Sequence, residues 1–124
     1  MTETLEKILY VEDDADIREV ARIALETVGG FTVNICSSGR QALDEAPGFD
    51  PDFILLDVMM PGMDGPTTLG ELRKLPGLEK KPVVFMTAKV MRSEVGVYKE
   101  LGAVDVISKP FDPMTLAERI NEIW

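Results

Sequence analysis

Acidic side chains, a hydroxyl and an ammonium group stand where short apolar runs of the sequence end. Glu12 and Asp13 follow the first such run, Asp57 and Thr87 each end a later one, and Lys109 follows the last. Crowded carboxylates repel one another, and a hard divalent cation such as Mg²⁺ neutralises such a group through oxygen ligands. An Asp carboxylate can attack phosphorus, while Lys and Thr can pair with phosphoryl oxygens. These residue types therefore predict Mg²⁺-assisted phosphoryl transfer.

The elements that must position these groups alternate along the chain. The apolar or β-rich runs predict five strands, over residues 7–11, 31–36, 53–57, 83–87 and 104–108. Each is followed by a helical pattern, over residues 14–28, 38–46, 66–75, 92–101 and 113–124. Strictly alternating strands and helices predict a doubly wound α/β fold with a parallel sheet. In such folds the active site lies beyond the carboxyl ends of the strands, where the groups named above stand.

Two helices carry local expectations that a structure can test. The apolar residues of the first helix recur at intervals of three and four, so we expect Ile17, Val20 and Val28 on its buried side. Asp14 can cap this helix or bind metal, and the cap is the favoured interpretation. Pro47, followed by a glycine, is expected to end the second helix.

Composition excludes several classes of function. The chain has 124 residues, with 22 acidic against 13 basic side chains and a formal net charge of −9, which disfavours direct binding to nucleic acid. It has no histidine, so it lacks His-dependent catalysis and a phosphohistidine of its own. No apolar run is long enough to insert in a membrane. The single Cys36 and the absence of a signal sequence predict a small core thiol and a cytoplasmic protein.

Four short segments in order resemble the receiver domain of two-component signalling. They are Ile8–Asp13, Leu55–Asp57 followed by Met60–Gly65, Thr87–Ala88 and Lys109–Phe111, and the resemblance covers nearly the whole chain. It implies one receiver domain over residues 1–124, with a flavodoxin-like (βα)5 fold and a five-stranded parallel sheet of order 2-1-3-4-5. It also implies a protein that catalyses its own phosphorylation and dephosphorylation but is not a turnover enzyme.

The resemblance assigns a role to each pocket residue. Asp57 would be the phosphoacceptor, and Thr87 and Lys109 would contact the phosphoryl group. Asp13 and Asp57 would bind Mg²⁺ directly, Glu12 would act largely through water, and Met59 would supply its backbone carbonyl. The Lys109–Pro110 peptide bond would be cis. The phosphoryl group would come from a histidine kinase or a histidine phosphotransfer protein.

The sequence departs from the family pattern at positions that bear on switching. Val106 stands three before Lys109, where many receivers carry a rotating aromatic ring. Met59 and Lys89, each two past a pocket residue, offer no carboxylate or amide to orient an attacking water. We therefore expect slow autodephosphorylation.

Three rival interpretations remain. A haloacid-dehalogenase-type phosphatase would need a second Asp where Met59 stands, and a flavodoxin-like electron carrier would need a phosphate loop where Glu12 and Asp13 stand. A phosphorylation-independent pseudo-receiver is a third, although every pocket position is filled.

The downstream target of the switch is expected to be a protein. We expect a stand-alone receiver rather than a fragment of a larger regulator. By analogy with the family, its partner face would include Val95, Tyr98, Lys99, Val106 and Arg119.

Overall fold

A computed structural model describes residues 4–88 and 92–124 of the chain. Five parallel strands form one sheet in the order β2-β1-β3-β4-β5, which confirms the predicted flavodoxin-like topology. The strands are β1 (Lys7–Val11), β2 (Thr32–Cys36), β3 (Phe53–Asp57), β4 (Val83–Thr87) and β5 (Asp105–Ser108). The helices are α1 (Ala15–Arg22), α2 (Gly39–Phe49), α3 (Gly65–Leu72), α4 (Arg92–Glu100) and α5 (Leu116–Ile123). None of the helices within the described ranges is long and apolar enough to cross a membrane.

The sheet is buried on both faces, because successive side chains of each strand point to opposite sides. Leu9, Leu56 and Phe85 belong to an apolar cluster on one face, whereas Tyr10 and Leu55 belong to a second cluster on the other. Every residue of β3 and β4 is buried, which explains why these strands read as continuous apolar runs.

The first helix differs from the expected amphipathic pattern. It continues beyond α1 as a π-helical segment, Ile23–Val28. Val20 and Val28, expected inside, are 42% and 41% exposed. Val20 lies at the edge of the buried stripe, and the wider π-helical turn rotates Val28 away from it. The expectation of one continuous buried face was therefore wrong at these two positions.

The second helix passes through its proline. Pro47 lies inside α2, which ends at Phe49, so the predicted end was wrong. The backbone N–H of Asp50 donates to the carbonyl of Ala46 at 2.9 Å and closes the last turn, with Asp50 in the left-handed conformation at φ 52°. Phe49 packs against the core, and this burial supports a final turn that local breaker signals disfavour.

Only part of the expected partner face is exposed to solvent. Val106 is buried, because it points into the cluster beneath α4, and the ring of Tyr98 packs edge-on against Phe85 at 5.1 Å between centroids. Arg119 pairs with Asp105 at 3.0 Å on the outside. The inclusion of Val106 in that face was wrong.

Candidate functional site

Three carboxylates meet at the carboxyl edge of the sheet. Glu12 and Asp13 follow β1, and Asp57 is the last residue of the neighbouring β3. One oxygen from each of the three lies within 4.8 Å of the others. Glu12 and Asp57 are buried, at 1% and 2% exposure, whereas Asp13 is exposed. The pocket thus has a buried acidic floor and a rim open to solvent.

Lys109 bridges the two buried carboxylates. Its Nζ lies 3.0 Å from Glu12 Oε1 and 3.1 Å from Asp57 Oδ1. Burial by itself lowers the pKa of this ammonium, but the hydrogen bond to Glu12 and the negative charges of Glu12 and Asp57 outweigh burial and raise it. Lys109 is held by its own backbone N–H, which donates to the carbonyl of Thr87 at 2.8 Å, and the Lys109–Pro110 peptide bond is cis, as expected.

Glu12 accepts hydrogen bonds from three directions. Its Oε1 receives Lys109 Nζ at 3.0 Å and the Tyr10 hydroxyl at 3.5 Å, and its Oε2 receives the backbone N–H of Asp14 at 3.2 Å. Burial raises the pKa of Glu12 to about 7, with Lys109 opposing the shift. Near neutral pH Glu12 is therefore partly protonated, and the buried floor carries less negative charge than it would with Glu12 fully ionised.

Asp57 differs from Glu12 because the structure gives its oxygens an ion pair with Lys109 but no hydrogen bond among the described residues. Both are fully buried, and neither accepts a hydrogen bond from the described part of the chain, although Oδ1 forms the ion pair with Lys109. A buried carboxylate without donors is costly unless something else satisfies it. A hard cation shared with Glu12 and Asp13 would do so, and the oxygen-only donor set suits Mg²⁺. The residues present therefore fit the metal that the sequence predicts.

Thr87 and Met59 stand at the same edge. Thr87 ends β4, is 6% exposed, and lies one position past the residue that pairs with Asp57 in the sheet. The side chain of Met59 is 75% exposed and so does not fill the pocket. Lys89, the other residue invoked for slow dephosphorylation, lies outside the described residues.

Capping residues fix the loops that carry the acids. Asp14 Oδ1 accepts the N–H groups of Asp16 and Ile17 at 2.9 and 3.1 Å, which confirms the predicted cap of α1. Asp64 caps α3 by accepting the N–H of Thr67 at 2.9 Å. Both loops thus pass directly from a strand end into a capped helix.

Sequence reasoning missed two residues that touch the pocket. Tyr10 stands two positions before Glu12, and strand alternation alone could have placed its hydroxyl beside that carboxylate. Arg18, in α1, donates to the backbone of the acidic pair. Only its position one turn past Asp14 hinted at that contact.

Comparison with known proteins agrees with this geometry. The response regulator receiver domain family matches residues 8–121. The chain is 39% identical over 116 residues to the DNA-binding response regulator MtrA of Mycobacterium tuberculosis H37Rv, covering 94% of this chain and 49% of that protein. It is 37% identical over 116 residues to the transcriptional regulatory protein CseB of Streptomyces coelicolor, covering 94% and 48%. The chain therefore spans about half the length of these curated relatives.

Solved structures show the same fold. The chemotaxis response regulator CheY4 of Vibrio cholerae superimposes with a TM-score of 0.89 at 29% identity, covering 98% of this chain and all of that one. The receiver domain of a signal transduction histidine kinase from Syntrophus aciditrophicus gives 0.80 at 32% identity, covering 95% and 89%. The likeness thus extends to receivers found in different kinds of signalling protein.

Proposed function

Because this chain belongs to the response regulator receiver family, we propose that it accepts a phosphoryl group on Asp57 and thereby changes its protein contacts. The observation that carries the proposal is the carboxylate of Asp57. Its oxygens are buried and accept no hydrogen bond from the described residues, yet they lie among Glu12, Asp13 and Lys109. A nucleophile held ready beside a cation site and an ammonium group suits phosphoryl transfer.

The proposed metal ligands are the carboxylates of Glu12, Asp13 and Asp57 and the backbone carbonyl of Met59. When bound, Mg²⁺ would neutralise the charge that develops on the transferring oxygens. Lys109 already balances part of the acidic charge, through contacts of 3.0 and 3.1 Å to the two buried carboxylates.

The reaction that we propose uses few groups. An oxygen of Asp57 attacks the phosphorus of a phosphohistidine. The P–N bond breaks, its electron pair returns to the imidazole, and an acyl phosphate forms on Asp57. Lys109 then pairs with a phosphoryl oxygen, and the Thr87 hydroxyl donates to another. Water later attacks the same phosphorus, the bond between phosphorus and the Asp57 oxygen breaks, and inorganic phosphate leaves as the carboxylate is restored. This step is slow because Met59 offers no group that orients the water. The protein thus catalyses its own modification without turning over a free substrate.

The proposed donor is a histidine kinase or a histidine phosphotransfer protein, which must cover the mouth of the pocket. A groove of largely apolar lining shares Lys109 with the pocket and is formed by Ile17, Val20, Phe111 and neighbours. The half-exposed Val20 is available to such a partner. The downstream target is a protein of unknown identity. Direct contact with nucleic acid is not proposed, given the net charge of −9.

We further propose that residues 1–124 form a single receiver domain. The two apolar clusters share all five strands of one sheet, which supports one folding unit across the described residues. Activities of the longer relatives, such as the DNA binding named for MtrA, are not transferred to this chain.

Intact mass after incubation with acetyl phosphate tests the proposed function. We expect the gain of one phosphoryl group with Mg²⁺, none after chelation, and none in Asp57→Asn. Asp44→Asn, an exposed position in α2, is the matched control and should label normally. Labelling of Asp57→Asn would refute the assignment. No adduct with either acetyl phosphate or phosphoramidate would favour the phosphorylation-independent interaction module.

A further inference from the structure

Arg18 holds the backbone that carries the acidic pair. Its Nη1 donates to the carbonyl of Glu12 at 2.9 Å and to the carbonyl of Asp13 at 2.9 Å. These two carbonyls lie on either side of the Asp13 α-carbon. One side chain of α1 therefore fixes the orientation of both peptide planes that flank a candidate metal ligand.

The other hydrogen bonds that the structure shows for this loop involve groups other than the carbonyls of Glu12 and Asp13. The side chain of Asp14 caps α1, and its N–H donates to the carboxylate of Glu12 at 3.2 Å. The N–H of Glu12 donates to the carbonyl of Cys36 at 3.0 Å. These bonds fix the start of the loop and the Glu12 carboxylate, whereas the direction of the Asp13 side chain depends on the peptide planes that Arg18 holds.

We propose that Arg18 is a positioning residue for the metal site, which aims the carboxylate of Asp13 by holding the carbonyl groups of Glu12 and Asp13. This inference rests on the proposed binding of Mg²⁺ in the pocket. Mg²⁺ demands near-ideal octahedral geometry, and groups that orient metal ligands commonly change affinity by 10–100-fold when removed. Arg18 would therefore set affinity without touching the metal.

The direction of the change in Mg²⁺ affinity distinguishes a positioning role of Arg18 from a purely electrostatic one. Arg18 carries a positive charge close to a cation site, so its removal should tighten Mg²⁺ binding if electrostatics alone mattered. If Arg18 positions the ligands, its removal should weaken binding. The two explanations thus predict opposite shifts.

The test is isothermal titration of the full chain with MgCl₂. Arg18→Met keeps the aliphatic stem and removes the guanidinium, and we expect its Mg²⁺ affinity to fall by about tenfold. Arg18→Lys keeps the positive charge on a shorter side chain. Its Mg²⁺ affinity should lie between those of the unmutated chain and Arg18→Met. Arg22→Met is the matched control. It removes an exposed arginine of the same helix, which pairs with Glu19 and Glu26, and should leave the affinity unchanged.

A second readout separates positioning from loss of fold. The Mg²⁺ concentration that half-saturates labelling by acetyl phosphate should rise in Arg18→Met by the same factor, while the rate at saturating Mg²⁺ stays unchanged. Unchanged or tighter binding in Arg18→Met would overturn the proposal. If that variant does not fold, Arg18→Lys decides, and an unchanged Mg²⁺ affinity in a folded Arg18→Lys would also overturn the proposal. Failure of the unmutated chain to bind Mg²⁺ would instead overturn the proposed function itself.

Discussion

At the scale of single residues, the pocket contains more negative than positive charge. Glu12, Asp13 and Asp57 lie within 4.8 Å of one another, and Lys109 supplies one positive charge against them. The remaining repulsion costs folding free energy, which a bound cation would recover. Function and stability are therefore opposed at this site.

Asp13→Asn should stabilise the chain when Mg²⁺ is absent. Removing a like charge at this distance is worth about 1 kcal/mol in a water-like dielectric, which suits an exposed side chain. Urea unfolding in the presence of a chelator measures the change. Added Mg²⁺ should then raise the free energy of unfolding of the unmutated chain but not of the variant. A variant less stable than the unmutated chain without Mg²⁺ would contradict this account.

Cys36 should resist thiol reagents in the folded protein. The side chain is fully buried, and burial, with a smaller contribution from Glu45, raises its pKa to about 12. Maleimide at pH 8 should label the chain's single cysteine only after unfolding in urea, as read by intact mass. The raised pKa favours the folded state fully below pH 9.0, and this contribution is lost as pH rises toward 12. Rapid labelling of the folded chain would show that the site opens.

At the scale of elements, the start of α3 is packed against the end of β3. A Cβ on Gly65 would lie 2.5 Å from the carbonyl oxygen of Asp57 and 2.9 Å from the Cα of Val58. Both neighbours are backbone and cannot rotate away. The glycine therefore allows a helix to begin directly against the strand that carries Asp57, the proposed phosphoacceptor.

Gly65→Ala should destabilise the chain by about 1–3 kcal/mol, because the helix must move away from the strand. It should also slow labelling of Asp57 by acetyl phosphate. Gly70→Ala is the matched control, since it lies in the same helix with nothing within 4 Å of the added methyl group. It should be neutral or stabilise by up to about 1 kcal/mol. Equal urea midpoints for the two variants would refute the close-packing argument.

At the scale of the whole molecule, one sheet joins two apolar clusters. Leu72 belongs to the cluster on the α3 side, whereas Trp124 contacts Phe53 in the opposite cluster, with ring centroids 6.5 Å apart. Neither cluster can be lost without exposing the strands that both share. The two halves should therefore unfold together.

Leu72→Ala should show this coupling. The cavity should cost about 2–5 kcal/mol, and Trp124 fluorescence should report the same lowered urea midpoint as far-UV circular dichroism, although the mutation lies across the sheet. Leu101→Ala, at a half-exposed leucine, should change the midpoint little. A fluorescence transition that stays in place while dichroism shifts would indicate two folding units.

The sequence by itself determined the strands and what stands at their ends. Predicted and observed bounds coincide for β1, β3 and β4, because a short apolar run next to breakers is a local signal. Since parallel strands present their carboxyl ends at one edge of the sheet, the topology alone predicted that Glu12, Asp13 and Asp57 lie close together.

Only the tertiary structure decided which side chains meet. Glu12 and Lys109 are 97 positions apart, and the order of the strands brings them to 3.0 Å. Three other features likewise depend on packing: the hydrogen bonds from Arg18 to the backbone of the acidic pair, the continuation of α2 beyond Pro47 and the burial of Val106. Local sequence patterns indicate propensity and periodicity. The packing of the helices on the sheet sets the distances between remote residues, and it also decides whether a residue at the edge of an apolar face is buried.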